Sequence, residues 1–391
     1  MKDTNRIAPP DIVDWTFPVP IKYGAGRFSE LAATCHAAKS ERPLVITDRG
    51  SRELYFVENA LTALTEAGFF PGLFTEVSPN PTDAEAERGK AVFEAGGHDL
   101  IIGLGGGSGL DAAKAVSLIA GRKTSLWSFD FDKTPPDEAG FVPLICVPTT
   151  AGTGAETDSS AIITDTRRCI KGCVWHPQHK PFATILDPEL TVGLPPNLTA
   201  WTGCDALVHA IEAYCVPMFH PLCDGAALEA LRLIGPALPR AVTHPEELET
   251  RGAMLAGSCL AGVSFLKGLG LVHAISHMIG AAHDTHHGLT NAVLLPAVLR
   301  FNAPEIHTHC RPMAEALGLE RRDFDGVYSY VCDLLDALEI PTGLSDLGVT
   351  TADTKDLARK ASRDPAALTN PRPASVEDID TIIREVQEAG R

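Results

Sequence analysis

The hydrophobic rhythm of the chain changes once. Through the first half, short and uniformly apolar β-rich runs alternate with longer stretches in which apolar residues recur every three or four positions. RPLVITDRG reads as a buried parallel strand that ends at Asp48 and turns at Gly50. A helix over Leu54 to Ala67 follows, then a short strand, GLFTEV, and a turn through Pro79 and Pro81 into a helix over Asp83 to Ala95. HDLIIGLGGGSGLDAAKAVSLIA repeats the unit as a buried strand, a glycine cluster and a helix starting near Asp111. Strands alternating with helices predict a parallel sheet with crossover helices, hence an α/β nucleotide-binding layer.

After LDPELTVGLPP the strand-like runs stop. From Asn197 onward apolar-periodic helices succeed one another with short polar breaks, down to a closing amphipathic helix, DIDTIIREVQEAGR. The adjacent Pro195 and Pro196 mark the natural boundary. The expected organisation is therefore an α/β domain over residues 1–195 and an all-α domain over 196–391. A chain of 391 residues is long enough for two such cores.

Charge narrows the choice of partner. A formal net charge of −17 disfavours nucleic acid and anionic membranes, both of which need a basic surface, and leaves a small molecule. The N-terminus carries no apolar run of signal-peptide length, and no long uncharged apolar stretch follows, so a cytoplasmic protein is expected. The ten cysteines are scattered, mostly within apolar patterns, as buried reduced thiols would be.

Two glycine turns suit a dinucleotide. Gly103, Gly105, Gly106, Gly107 and Ser108 separate a strand from a helix, where bare backbone N–H groups and the helix N-terminus can meet a pyrophosphate. The cluster is neither G-x-G-x-x-G nor a P-loop, and a tight turn that merely needs glycine is the competing reading. PTTAGTGAETD supplies a second polar cradle with Thr149, Thr150, Gly152, Thr153 and Gly154. Asp48, at a strand end, can accept the hydroxyls of an adenosine ribose and repel a 2′-phosphate, which favours NAD; a plain turn aspartate fits the spacing equally.

The second half offers metal ligands. Asp205 and His209 lie four apart in CDALVHAIEAY, so both leave one face of a helix. His273 and His277 repeat that spacing and His283, His286 and His287 follow, which puts five of fourteen histidines within fifteen residues. One carboxylate with two or three imidazoles suits Fe(II) or Zn(II) with a position open to substrate. Any one of these histidines could be a satisfied buried group; the whole constellation argues for a metal. A metal in one domain and a dinucleotide in the other suggest hydride transfer to or from an alcohol. Cys169, Cys173, His176 and His179 have the ligand types of a structural zinc site but irregular spacing.

Taken together these residues closely resemble the iron-containing, or group III, alcohol dehydrogenases. The likeness runs from YGAGRFSEL through ITDRG, PNPT, GGGSGLDAAKA, PTTAGTGAE, LDPELTVGLPP and TGCDALVHAIEAY to GLGLVHAISHMIGAAHDTHHGLTNAVLLPAVLRFN. It implies an N-terminal Rossmann-like α/β domain with an all-α C-terminal domain, a dehydroquinate synthase-like architecture, and NAD(H)-linked interconversion of a small primary or secondary alcohol with its aldehyde or ketone. A hydroxy acid with its semialdehyde is a possible variant, and a homodimer or larger homo-oligomer is implied. Carried over by position, the metal ligands are Asp205, His209, His273 and His287, and His277 serves proton relay or substrate positioning. On the cofactor side Asp48 selects NAD and Asn80 lies near the adenine. Gly106, Gly107, Ser108 and Asp111 line the pyrophosphate turn, Thr149, Thr150 and Thr153 form the second cradle, and Lys171 meets the nicotinamide-side ribose.

Two departures from the family pattern stand out. Leu266 and Lys267 replace small polar residues; Lys267 would hold an anionic substrate if it faces the site and is an ordinary surface cation if it points outward, the preferred reading. His283 is an extra imidazole that could line the substrate pocket, shuttle a proton or lie in solvent. A maleylacetate reductase-like enzyme is disfavoured by the intact Asp and three His, and a dehydroquinate synthase-like lyase by the lack of a basic pocket. A non-catalytic NAD- or metal-binding protein is the rival of a different class.

Overall fold

The computed structural model describes residues 13–15, 19–168, 170–349 and 354–389. In the first half the strands are β1 (Val13–Trp15), β2 (Ile21–Tyr23), β3 (Pro43–Asp48), β4 (Gly72–Val77), β5 (Leu100–Gly105), β6 (Leu144–Pro148), β7 (Ser160–Asp165), β8 (Ile170–Trp175) and β9 (Ala183–Leu186). Seven of them form one sheet in the order β1-β2-β9-β6-β5-β3-β4, parallel except for the β1–β2 pair. The helices between them are α1 (Leu31–Ala37), α2 (Tyr55–Glu66), α3 (Asp83–Gly96) and α4 (Gly107–Ile119).

The central strands are apolar throughout because both faces are covered. Val45, Ile102 and Ile145 pack with Phe56 and Leu64 of α2, while Leu44, Ile46 and Ile101 pack with Leu110, Ala113 and Val116 of α4. Gly103 lets α4 sit close on β5, since a methyl there would lie 2.9 Å from the Ala113 Cβ. Thr82 starts α3 through a capping box: its hydroxyl accepts the Glu85 N–H at 3.2 Å, and the Glu85 carboxylate accepts the Thr82 N–H at 2.9 Å.

Two features differ from expectation. Helix α4 begins at Gly107 rather than near Asp111, because Gly106 serves as its N-cap without a side chain, and Ser108 and Asp111 fall in its opening turns. The half is also not purely parallel: β7 and β8 form a separate antiparallel pair, in which Thr164 faces Lys171.

The second half holds α5 (Pro196–Cys215), α6 (Pro221–Thr243), α7 (Leu248–Ser264), α8 (Leu271–His283), α9 (His287–Ala316), α10 (Phe324–Ala337), α11 (Thr354–Ala361), α12 (Pro365–Leu368) and α13 (Val376–Ala389). No single helix among the described residues is long and apolar enough to cross a membrane. One compact unit runs to Thr150 and resumes over Ala155–Gly193; the other takes Ala151–Gly154 and the chain from Leu194 onward.

The short excursion Ala151–Gly154 explains two glycines of the second turn. A methyl on Gly152 would lie 2.7 Å from the Thr202 Cβ of α5. Gly154, at φ +62°, would place one 2.5 Å from the Gly262 Cα of α7. Close approach of backbone to helix, together with a left-handed φ at Gly154, therefore requires both glycines whatever the turn binds.

Candidate active site

Helix α5 is apolar on most of its surface, yet it buries Asp205, His209 and Glu212 at positions i, i+4 and i+7, one face of a helix. Helix α8 contributes His273 and His277 one turn apart, and α9 opens on His287. Gly288 permits that opening: a methyl there would lie 2.3 Å from the Trp201 carbonyl oxygen and 3.0 Å from the Asp205 Cβ.

Ligand atoms of Asp205, His273 and His287 converge, all within 4.8 Å of one another. Asp205 Oδ1 lies 3.7 Å from His273 Nε2 and 3.6 Å from His287 Nε2. Bonds of about 2.0–2.2 Å from a divalent ion to N and O ligands set tetrahedral neighbours about 3.4 Å apart, so this trio fits such an ion. His209 stands beside the trio rather than in it. Its ring stacks on His273 with centroids 4.4 Å apart, its Nδ1 is 4.0 Å from Asp205 Oδ2, and that buried nitrogen has no hydrogen-bond partner among the described residues. An orphaned imidazole nitrogen at this position is what a fourth ligand offers.

Electrostatics favour ligand-ready protonation for the first two residues. Burial would raise the Asp205 carboxyl, but His209, His287 and His273 around it override that and hold it far below the usual carboxylate range. Burial pushes His209 down to about 4 and so keeps it neutral. Burial also acts downward on His273, yet its bonds to Asp205 and Glu212 outweigh it and bring the ring up to about 9.

Each converging residue has a support that the sequence did not single out. The Glu212 carboxylate lies 2.7 Å from His273 Nδ1 and accepts the N–H groups of Gly270 at 3.0 Å and Val272 at 2.7 Å. It thus orients the imidazole and caps the front of α8. Gly270 leaves room for it, since a methyl there would lie 2.6 Å from Glu212 Oε1. Asn291 donates its amide to Asp205 Oδ1 at 2.6 Å, and Ser276 Oγ is 3.3 Å from His287 Nδ1. His277 Nδ1 is bonded to Asp364 Oδ2 at 2.9 Å, and its ring stacks on His287 at 5.4 Å.

The remaining candidates divide. His286 is the N-cap of α9, accepting the Leu289 N–H, and His283 closes α8 half-buried, outside the converging trio. Lys267 is corrected: it is only 3% exposed, and its Nζ donates to Asp224 Oδ1 at 2.5 Å and to the Tyr214 carbonyl at 3.4 Å. It is not a surface cation. Of the zinc candidates, Cys169 lies outside the described residues. His176 Nε2 meets the Pro136 carbonyl and His179 Nε2 meets Ser117 Oγ. No second metal cluster forms among the described residues.

In the other unit the glycine turn lies between β5 and α4, and its neighbours gather on it. Asp48 Oδ2 would be 3.2 Å from a methyl on Gly105, and Thr150 Cγ2 3.3 Å from one on Gly106. Ser108 Oγ donates to the Pro79 carbonyl at 2.6 Å, which ties this turn to the Pro79–Asn80 turn, and the Thr149 N–H donates to the Gly105 carbonyl at 2.9 Å. The Asp48 carboxylate also accepts the N–H and hydroxyl of Ser51, so it shapes its own turn as well as facing the glycines. Asp111 accepts the Ile162 N–H at 3.2 Å, with Lys171 close enough to act on its charge. Burial, with Asp158 adding to it, raises Asp111 to about 7. Thr153 belongs to the helical unit through the excursion Ala151–Gly154.

Residues 18–188 match the family model for iron-containing alcohol dehydrogenases, and residues 199–387 match that for the C-terminal region of the Fe-containing alcohol dehydrogenase family. The chain is similar to the NAD-dependent methanol dehydrogenase of Bacillus methanolicus, 36% identical over 92% of this chain and 96% of that one. It superposes on a crystal structure of 1,3-propanediol oxidoreductase with a TM-score of 0.90 at 33% identity, covering 96% of this chain and 99% of the other. Sulfoacetaldehyde reductase from Bifidobacterium kashiwanohense, solved in complex with NAD+, gives a TM-score of 0.84 at 28% identity, covering 96% and 98%. Both halves carry the same signature, and the chain belongs to the iron-containing alcohol dehydrogenase family, NAD-dependent, metal-binding oxidoreductases that interconvert alcohols and aldehydes.

Proposed function

We propose that this enzyme acts on a small uncharged alcohol and its aldehyde, with Asp205, His209, His273 and His287 holding Fe(II), for which Zn(II) can substitute. The observation that carries the ligand set is the Asp205 carboxylate surrounded by three imidazoles, two with Nε2 at 3.6 and 3.7 Å. When bound, the ion supplies a Lewis acid for the alcohol or carbonyl oxygen, and the nicotinamide exchanges the hydride. The chain's own part is to bind, orient and move a proton. Backbone N–H groups of Gly106, Gly107 and Ser108 receive the pyrophosphate, with Thr149, Thr150 and Thr153 as the second cradle. Asp111 stands with the pyrophosphate turn, Asp48 takes the adenosine ribose, Asn80 stands by the adenine, and Lys171 serves the nicotinamide-side ribose. His277 takes the alcohol proton during oxidation and returns it during reduction. An uncharged substrate is favoured because the Lys267 charge is matched by Asp224. A cytoplasmic homo-oligomer is part of this reading and rests on the family resemblance.

The test is NADH formation by metal-stripped protein reloaded separately with Fe(II) and Zn(II), across short alcohols and diols with 4-hydroxybutyrate included. Metal-dependent turnover of neutral alcohols is expected. Preference for the acid would overturn the substrate class, and NAD binding without turnover on either metal would overturn the ligand and proton assignments.

A further inference from the structure

Asp364 heads α12 and makes two bonds in opposite directions. Its Oδ1 accepts the Ala366 N–H at 2.8 Å, the N-cap of the helix, while Oδ2 meets His277 Nδ1 at 2.9 Å. Both residues are buried, at 7% and 9% exposure. A carboxylate offers only acceptors, so the proton in the second bond belongs to the imidazole Nδ1. In the neutral ring the other nitrogen, Nε2, then keeps its lone pair. On the far side the ring is held by its stack on His287, with centroids 5.4 Å apart and planes 13° from parallel.

Asp364 is itself anchored, which makes it the fixed partner. The segment that follows it grips the approach to α8. Thr369 Oγ1 donates to the Leu269 carbonyl at 2.7 Å and accepts the Leu269 N–H at 3.1 Å. Asn370 Oδ1 accepts the Leu271 N–H at 3.1 Å, and its amide pairs reciprocally with that of Asn302 at 2.7 and 3.0 Å. These bonds fix Asp364 relative to the helix that carries His277.

We infer that Asp364 is a positioning residue that holds His277 as its Nδ1–H tautomer, so that Nε2 is the nitrogen that accepts the alcohol proton in oxidation and returns it in reduction. The inference rests on the role proposed for His277. It applies the logic by which a buried carboxylate sets the tautomer of a catalytic imidazole. Nothing in the local sequence shows it, because the partners lie 87 positions apart.

The test uses the full chain, zinc-loaded and labelled with 15N-histidine, with His277→Asn assigning the resonance. In the parent, Nδ1 should be protonated and Nε2 bare. Asp364→Asn keeps an N-cap but presents an amide donor to Nδ1, and should reverse the pattern; Asp364→Ser keeps a cap and drops the contact, and should give a mixture. Turnover should fall about a hundredfold or more in Asp364→Asn, with zinc content and KM for NAD unchanged. An Nε2–H ring in the parent, or a pattern that Asp364→Asn leaves unmoved, overturns the inference even if the variants fold poorly. A reversed tautomer with full turnover upholds the positioning and overturns the proton role of His277.

Discussion

Replacing Glu212 separates the two tasks of this carboxylate, capping α8 and steadying His273. In the parent it accepts the N–H groups of Gly270 and Val272 at 3.0 and 2.7 Å and is bonded to His273 Nδ1 at 2.7 Å, all in a buried setting. Glu212→Ala strands two amide donors and an imidazole nitrogen away from water. Each orphaned group costs about 1–3 kcal/mol, and breaking a buried charged pair about 3–5 kcal/mol in total. With roughly 4 kcal/mol lost and about 2–4 °C per kcal/mol for a unit of this size, the melting temperature should fall by about 8–16 °C. Glu212→Gln keeps the shape and one acceptor and should cost less than half of that. With His273 as a ligand, as proposed, losing the carboxylate behind it weakens the metal by about 10- to 100-fold, so both variants should lose zinc to a competing chelator at correspondingly lower concentration. Calorimetry and chelator competition read the two effects separately. If Glu212→Ala melts within about 1 °C of the parent, less than ~1 kcal/mol would be at stake and the capping argument fails. Unchanged zinc affinity in both variants would remove Glu212 from the metal centre.

Asp48→Ala should raise the NADP-to-NAD ratio of kcat/KM by about 10- to 100-fold, equivalent to ~1.4–2.8 kcal/mol of relieved repulsion, and an unchanged ratio removes Asp48 from cofactor choice. Lys267→Met should lower stability by about 1–3 kcal/mol in denaturant melts, because Asp224 loses its partner, while leaving the ratio of KM values for 4-hydroxybutyrate and 1-butanol unchanged; a selective rise for the acid would put Lys267 in the substrate site after all. His179 gives a pH prediction. Burial, aided by Lys114, pushes it down to about 3 from 6.5, so the unfolded chain binds a proton that the folded chain refuses. Its stabilising contribution is complete above pH 6.5 and is lost as pH falls, by roughly 2–3 kcal/mol near pH 4.5. His179→Asn should flatten the acid limb of the denaturation midpoint between about pH 6.5 and 4.5, and an equally steep limb would refute that assignment.

What could be read from the sequence and what could not differ in the distance over which the signal acts. Asp205 and His209, and again His273 and His277, are one helical turn apart, so their shared face follows from spacing alone. The strands PLVITD and LIIGLG announce themselves because a parallel strand covered on both faces has no polar side to confuse the pattern. The start of α4 was harder: a glycine N-cap leaves no side-chain signal, so the helix seemed to wait for Asp111. Lys267 misled for the opposite reason, since a lone cation in a short loop reads as solvated until Asp224, 43 positions earlier, is brought beneath it.

The supports of the proposed metal centre fall mostly on the long-range side; Ser276, 11 positions from His287, is the local exception. Glu212 does lie three residues beyond His209 on the same face, and that spacing was the one available clue; its partners, however, are backbone amides up to 61 positions away. Asn291 meets Asp205 across 86 positions, and Asp364 meets His277 across 87. A ligand can be recognised by residue type and period, whereas the group that orients it is an ordinary Glu, Asn or Asp whose meaning comes from the fold. The division also predicts how substitutions will sort. On the proposed ligand set, changes at Asp205, His209, His273 or His287 remove a donor outright, while changes at Glu212, Asn291 or Asp364 leave the donors in place and alter the tautomer, orientation or basicity of the groups they touch. Partial, separable losses of metal affinity and turnover are therefore the signature to expect from the second group, and complete loss from the first.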